Sequence, residues 1–280
     1  MKIWLPYVVC GSGTDVFTRR LEKFFNDAGH PAVATPYAHN FQYAPRLLKR
    51  MQPPGRHDIV LTNSWNGFAF RRDDRPVVTV EHLCVFDPAL RPYTSFAQRV
   101  FHRSIVFPHE KLSFDAATKS VAVSEYTGRA AQAAFRCPAP HVIHNGVDTQ
   151  FFSPDPAPAR EHGPFRILFI GNLTKRTGAD LLSPIMERLG ERFELLYTSG
   201  LRGNGVLRPL PNMRAIGRLN QSQMRDAYRA CDVALFPSRL EGLSYAAAEA
   251  MACGLPLVAS NSSSFPEMID DGINGRLCAV

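Results

Sequence analysis

The stretch Asp232-Val-Ala-Leu-Phe-Pro-Ser-Arg-Leu-Glu-Gly-Leu-Ser-Tyr-Ala-Ala-Ala-Glu-Ala-Met-Ala-Cys-Gly254 decides the fold. Val233 to Phe236 is a short apolar run closed by Pro237, which reads as a buried strand. Arg239 to Leu243 is a loop. Ser244 suits an N-cap, the run to Ala252 is dense in helix formers, and Gly254 sits where such a helix ends. Leu255 to Ala259 follows as another buried strand. Strand, loop, helix and strand make the unit of an open parallel sheet, where ligands collect beyond the carboxyl ends of the strands. That place holds Glu241, Gly242, Leu243 and Ser244. Gly242 permits close approach of a ligand to the backbone, and the first N–H groups of the helix suit an anion such as phosphate. Glu249 lies about 7 Å along the helix axis, at 1.5 Å per residue. Two carboxylates so spaced suit the hydroxyls of an elongated ligand such as a nucleotide-sugar. On spacing alone, a solvated loop position for Glu241 and a helix-surface position for Glu249 remain the plainer reading.

Seven residues separate Glu241 from Glu249, and Ala-Met-Ala-Cys-Gly-Leu-Pro-Leu-Val-Ala-Ser follows. This string closely resembles the Glu-x7-Glu motif of the retaining GT-B glycosyltransferases of group 1. The resemblance implies an α/β fold of two Rossmann-like, doubly wound domains facing across a cleft. It implies a nucleotide-diphosphate-sugar donor and a hydroxyl acceptor, with Glu249 on the donor ribose and Glu241 facing the donor sugar. It implies no metal, and no Asp-x-Asp motif lies near the donor loops.

The chain has 280 residues, enough for two cores, with 45% hydrophobic and 20% charged residues, as in ordinary globular proteins. No apolar run approaches the ~20 residues of a membrane span. Lys2 before Ile3–Cys10 faintly mimics a leader, but the run is short and enters Gly-Ser-Gly, so it reads as a first strand. Six scattered cysteines without a CxxC pair read as free thiols in a reducing cytoplasm. The net charge of +7 is lopsided: 18 Lys/Arg face 12 Asp/Glu from Met1 to Ser153, against 14 and 13 thereafter. The basic first half suits an anionic partner, such as an acidic acceptor or peripheral contact with an anionic membrane; plain surface charge accounts for it equally well. No basic stretch with interleaved aromatics marks a nucleic-acid site.

Taken in order, Lys2–Val9 reads as a strand and Cys10–Asp15 as a glycine loop. An amphipathic helix follows, with Val16, Phe17, Leu21, Phe24 and Phe25 on one face. The loop is not a full dinucleotide fingerprint, because Val16 stands where a third glycine would be. By resemblance, Gly11, Ser12 and Gly13 line the acceptor side. Asp58–Thr62 and Val77–Val80 read as strands buried on both faces. His82 then sits at a strand's carboxyl end, a place suited to polar binding and equally to a histidine satisfied by backbone. The resemblance assigns His82, with Glu81 as its companion, to the donor sugar and acceptor. Pro88–Lys119 is aromatic and basic, and reads as partly helical. It frames an acceptor site or packs a core.

His144-Asn-Gly-Val-Asp148, with Phe152-Ser-Pro154, resembles the family's domain-end segment, and Pro154, Pro156 and Pro158 make an extended linker. The expected domains are therefore 1–153 and 165–280, joined by 154–164. Phe165–Ile170 reads as a strand leading to Gly171-Asn-Leu-Thr-Lys-Arg-Thr-Gly178 and a helix from Ala179 to Leu189. Lys175 and Arg176 suit a diphosphate, although a solvated basic loop has the same composition. Many members of the family carry Gly-Arg and Lys-Gly where this chain has Gly171-Asn172 and Thr177-Gly178, so both usual phosphate cations are replaced. Gly217-Arg218 follows a further strand, where the family contacts the base. The chain ends at Val280, before the C-terminal helices that members normally carry, which are therefore expected to be missing. The expected activity is retaining glycosyl transfer without a cofactor. The alternative is a non-catalytic or truncated nucleotide-sugar-binding protein, and a sugar phosphorylase lacks a recognisable lysine-bearing cofactor site.

Overall fold

The computed structural model of the protein describes residues 1–11, 13–72, 75–155, 163–198 and 206–279. Two compact units divide the chain, Met1–Asn145 and Gly146–Val280. Each is built on a six-stranded sheet in which every strand pair is parallel. Parallel neighbours need crossover connections, and the crossovers cover both faces, which is why the strands read as apolar runs.

In the first unit the elements run β1 (Ile3–Val8), α1 (Gly13–Asp27), β2 (Ala32–Tyr37), β3 (Ile59–Asn63), β4 (Val77–Glu81), α2 (Phe96–Phe101), α3 (Phe107–Ala116), β5 (Lys119–Ala122), α4 (Glu125–Phe135) and β6 (His141–Val142). The sheet order is β2-β1-β3-β4-β5-β6, so the strand order reverses between β1 and β3. Every residue of β1 is buried. Successive side chains point to opposite faces: Ile3 and Leu5 meet Phe25 of α1, while Trp4 and Val8 meet Leu48, Phe68 and Phe70. Phe25 and Phe24 cannot both face the sheet, because neighbours on a helix lie about 100° apart. Phe24 is 63% exposed, contrary to the expected apolar face. The region after Pro88 is more helical than its composition suggested. A short 3-10 helix (Pro88–Tyr93) precedes α2, and a π turn (His102–Val106) joins α2 to α3.

The second unit runs β7 (Phe165–Phe169), α5 (Ala179–Leu189), β8 (Phe193–Thr198), β9 (Met213–Gly217), α6 (Gln221–Arg229), β10 (Val233–Phe236), α7 (Tyr245–Ala252), β11 (Leu257–Ser260) and β12 (Gly275–Cys278). Its order, β12-β11-β10-β7-β8-β9, is that of a dinucleotide-binding Rossmann sheet, with the reversal between β7 and β10. The helix α7 ends as its sequence implies: Gly254 has φ +77°, and the Leu255 N–H reaches back to Ala250 O at 3.0 Å. That bond holds Leu255 out of the sheet, so β11 starts at Leu257 and not at the expected Leu255.

The units divide eight residues ahead of the expected boundary at 153. The reason is Phe152, which is 1% exposed and packs with Leu168, Tyr228, Ala250 and Cys253 of the second unit. Of the expected linker, residues 156–162 lie outside the described residues.

Gly178 fixes how the second sheet's two central loops approach one another. It has φ +72°, and a Cβ there would lie 2.0 Å from Pro237 O. Gly190 has φ +73° with nothing within 4 Å of a Cβ. Both resist a side chain through backbone conformation, but Gly178 also forbids it by contact. Urea unfolding should therefore show a loss of about 1 kcal/mol for Gly190→Ala and about 2–4 kcal/mol for Gly178→Ala. Equal losses would mean that the close approach to Pro237 is not needed.

Candidate functional site

In the second unit, the strand-order reversal sets the carboxyl ends of β7 and β10 side by side. The loop Gly171–Gly178 leaves β7 there, and the loop Pro237–Ser244 leaves β10. The expected donor residues of these two loops thus come together by topology, although up to 73 positions separate Gly171 from Ser244 in the chain. Gly171 is fastened to the next strand, its N–H donating to Thr198 Oγ1 at 3.1 Å.

The two loops are zipped together. Arg239 N–H donates to Arg176 O at 2.8 Å. Arg176 Nη1 donates in return to Leu240 O at 2.7 Å and to Glu241 Oε1 at 2.9 Å. Arg176 and Glu241 are each about three-quarters buried, at 27% and 21% side-chain exposure, so their attraction is screened less than a surface pair's. Arg239 makes a bidentate pair with Asp180 in the first turn of α5, at 2.7 and 2.9 Å. Lys175 is exposed, and so is Arg218 after β9. Of the three expected cations, Arg176 is therefore engaged with the expected catalytic carboxylate, and the other two face solvent.

The replacement residues carry structure instead of charge. Thr177 is buried, and its hydroxyl donates to Asn172 O, closing the loop on itself. Ser244 caps α7 through Ala247 N–H at 3.2 Å, beside the buried Gly242 and Leu243. The Glu241 N–H donates to Ser263 Oγ at 3.1 Å. Ser263 itself is held at φ +50°, a left-handed conformation that disfavours side chains. Ser260 and Ser262 both donate to Ser238 O, so the serine run packs under the Glu241 loop and anchors it. Glu249 faces inward. It is 3% exposed, and Tyr228 Oη donates to its Oε2 at 3.1 Å.

In the first unit, the loop after β1 and the end of β4 also converge at the carboxyl edge of the sheet. His82 packs edge-on against Phe17 of α1, ring centroids 4.6 Å apart. Its Nε2 is buried and has no hydrogen-bond partner among the described residues. Burial pushes its pKa down to about 4, so the ring is neutral at ordinary pH. Gly11 has φ +65°, and Gly13 begins α1. Ser12 lies outside the described residues. Among the described residues, no group of three or more His, Cys, Asp or Glu side chains is arranged to hold a metal.

Sequence reasoning missed several of these residues. Asp15 is 3% exposed and its carboxylate accepts the N–H groups of Cys10, at 3.2 Å, and Gly11, at 2.7 Å. It is the clamp on the glycine loop, and an acidic residue in a first helical turn was the available signal. Asp180 gave the same signal at α5. Tyr228, Arg239 and Ser263 act through partners about 20 to 60 residues away, which no local pattern reports.

Comparison with known proteins follows the same division. The family model described as Glycosyltransferase Family 4 matches residues 7–151, and that described as Glycosyl transferases group 1 matches residues 164–280. The D-inositol 3-phosphate glycosyltransferase of Xylanimonas cellulosilytica is 30% identical over 160 residues, covering 49% of this chain and 38% of that protein. An uncharacterized glycosyltransferase of Methanocaldococcus jannaschii is 28% identical over 141 residues with the same coverage, so the matched region spans 38% of each relative's length. Among solved structures, sucrose-phosphate synthase from Thermosynechococcus elongatus superposes with a TM-score of 0.79 at 16% identity, covering 99% of this chain and 86% of that one. HepE of Anabaena, in complex with UDP and glucose, gives 0.66 at 17% identity, covering 100% and 86%. With one family matched over half of the chain and its companion over most of the rest, the chain belongs to the group 1, family 4 glycosyltransferases and has the two Rossmann-like domains of the GT-B fold.

Proposed function

We propose that this protein transfers a sugar from a nucleotide-diphosphate-sugar to a hydroxyl acceptor, with retention of configuration and without a metal or other cofactor. The observation that supports this most is the meeting of the Gly171 loop and the Glu241 loop at the strand reversal, latched through Arg176. In this reading Glu241 faces the donor sugar, and Glu249, steadied by Tyr228, binds the ribose. Gly171, Asn172, Lys175, Gly242, Leu243 and Ser244 receive the diphosphate, and Arg218 lies by the base. Arg176 is shared between Glu241 and the departing phosphate, where cationic donors stabilise the charge that develops. The bond from the sugar C1 to the diphosphate breaks as the acceptor oxygen bonds to C1 on the same face. The acceptor proton passes to the leaving phosphate oxygen. Neutral His82 serves sugar and acceptor as a hydrogen-bonding group, and Gly11, Ser12 and Gly13 form the acceptor side.

Because HepE is solved with UDP and with UDP-glucose, uridine nucleotides are the first donors to try. In a thermal-shift screen of UDP, GDP and ADP with their sugar conjugates, the cognate nucleotide should stabilise the protein. The gain is about 2.7 kcal/mol at a hundredfold excess over Kd. Glu241→Ala should keep that shift while turnover falls at least 100-fold. A variant with unchanged turnover would remove Glu241 from the chemistry. The second reading, a nucleotide-sugar-binding protein without turnover, draws on Asn172 and Thr177 in place of phosphate cations. It predicts the thermal shift with no transfer or hydrolysis.

The acceptor or its carrier is proposed to lie at an anionic membrane. Residues 88–109 contain no acidic side chain but hold Arg91, Arg99 and Arg103. The helix α2 buries none of its residues, and Phe96 is 75% exposed beside Val100 at 47%. Apolar side chains ringed by arginines suit the interface of an anionic bilayer, each cation adding about 1 kcal/mol near the surface. Sedimentation with phosphatidylglycerol vesicles should be strong at low salt. Replacing Arg99 and Arg103 by Gln should weaken it by roughly 30-fold. Equal binding to neutral phosphatidylcholine vesicles would contradict this surface.

A further inference from the structure

Two buried carboxyl groups of the first unit have no part in the chemistry above. Glu81 ends β4 and immediately precedes His82; it is 1% exposed. Glu110 lies on α3 and is 3% exposed. Ser64, just after β3 and itself buried, donates its hydroxyl to Glu110 Oε1 at 3.2 Å; its N–H donates to Val80 O at 2.9 Å, and with Asn63 in register with Val80 it stands beside Glu81 across the strand pair. The Leu83 N–H donates to Glu81 Oε1 at 3.1 Å. The remaining oxygens, Glu81 Oε2 and Glu110 Oε2, are both buried and have no hydrogen-bond partner among the described residues. Neither carboxyl has an ion-pair partner among the described residues.

Two adjacent, unpaired carboxylates this deeply buried cannot both stay ionised, since each charge lacks compensation and repels the other. The groups around them do not supply that compensation. Asp87 of the turn after β4 caps the Pro88–Tyr93 helix through Ala89 N–H at 2.8 Å. Lys111 on α3 is committed to Asp115. Burial pushes the thiols of Cys84 and Cys137 and the Tyr126 hydroxyl upward, and pushes His82 and His109 downward, with Arg46 adding to the effect on His109. His82, Cys84 and Tyr126 therefore keep one charge state around neutral pH, and the shifts of His109 and Cys137 favour their neutral forms.

We propose that Glu81 and Glu110 share a proton across Ser64, and that this protonated pair is a positioning device for His82. It fixes the carboxyl end of β4 to α3, and with it the turn from which the His82 ring is presented against Phe17. Loss of the proton sets two negative charges against each other at the root of that turn and releases it. Burial raises the Glu81 carboxyl to about 7, and burial with the charge of Glu81 raises Glu110 well above the usual carboxylate range. A carboxyl raised on folding gives stability that is complete below its unfolded pKa, near 4.5, and is lost as pH climbs through the folded value. The protein should therefore lose stability as pH rises from about 4.5 through about 7, where Glu81 ionises, and again at higher pH, where Glu110 gives up the shared proton.

The role assigned to His82 rests on the glycosyl-transfer reading, but the proton-sharing pair can be tested without turnover. Difference infrared spectra of the unaltered protein, titrated upward in pH, should show a protonated carboxyl at pH 6 that is lost only well above the usual carboxylate range. Ring-labelled histidine NMR, with the His82 signal assigned by loss in His82→Asn, should show that signal shifting over the same range. In Glu110→Gln, whose amide supplies a permanent N–H, both the His82 shift and the pH-dependent loss of melting temperature should vanish. Where a donor gives turnover, the fall in kcat above neutral pH should vanish as well, with KM little changed. If no carboxyl is protonated at pH 6, or the His82 signal moves identically in Glu110→Gln, the proposal is overturned. The infrared spectra decide this even if Glu110→Gln fails to fold, because they use the unaltered protein. A transition seen by infrared and NMR in a protein inactive with every donor would uphold the pair and sink the transferase reading instead.

Discussion

A strand bonded to parallel neighbours must return to the same end of the sheet before it can pair again. Both units obey this constraint in every strand, and everything functional in them descends from it. The chain leaves each strand at the same edge, so the loops accumulate there and the helices are consumed in covering the faces. In the second unit, the reversal between β7 and β10 prevents consecutive loops from crossing the gap. It leaves the loops after those two strands, far apart in sequence, as neighbours. The close contact of Gly178 with Pro237 and the bonds of Arg176 and Arg239 are consequences of that adjacency.

The same logic explains which features were legible in the sequence. The cap of α7 by Ser244, its end at Gly254, and the helix Ala179–Leu189 are set by local chemistry. They can be read from it to the residue or nearly so. The position of Glu241 and His82 at strand ends was legible because a strand end is a local event. The partners were not. Arg176 looked like a free phosphate cation because its engagement with Glu241 crosses 65 residues. Glu249 offered no sign that Tyr228, 21 residues earlier, would meet it inside the core. Glu110 carried no signal at all, since its burial depends on α3 packing over the end of β4.

Charge in this protein is arranged more by confinement than by abundance. The second unit has nearly balanced charge, and its site-facing cations are largely bound to its own carboxylates: Arg176 to Glu241 and Arg239 to Asp180. Such pairing orients both partners and lowers the charge that any ligand meets on arrival. In the first unit, by contrast, Glu81 and Glu110 are buried with no ion-pair partner among the described residues, and residues 88–109 around α2 carry arginines without acids. The second unit thus pairs its half-buried acids with arginines and gives its buried Glu249 the Tyr228 hydroxyl, while the first gives Asp15 backbone N–H groups.

The packing of Phe152 bears on how the chain divides as heritable modules. The segment after Gly146 is built into the second unit: Asp148 accepts the N–H groups of Gln150 and Phe151, and Arg229 holds Ser153 through both its backbone and its hydroxyl oxygen. A recombination event that joined a foreign first unit at the proline-rich stretch would import a foreign Phe152 equivalent into this core. One that joined at Asn145 would carry the plug along with its socket. Exchange of first-unit modules among such proteins is thus expected to be tolerated at the earlier junction, and the proline-rich stretch, though it looks like the natural seam, lies on the wrong side of it.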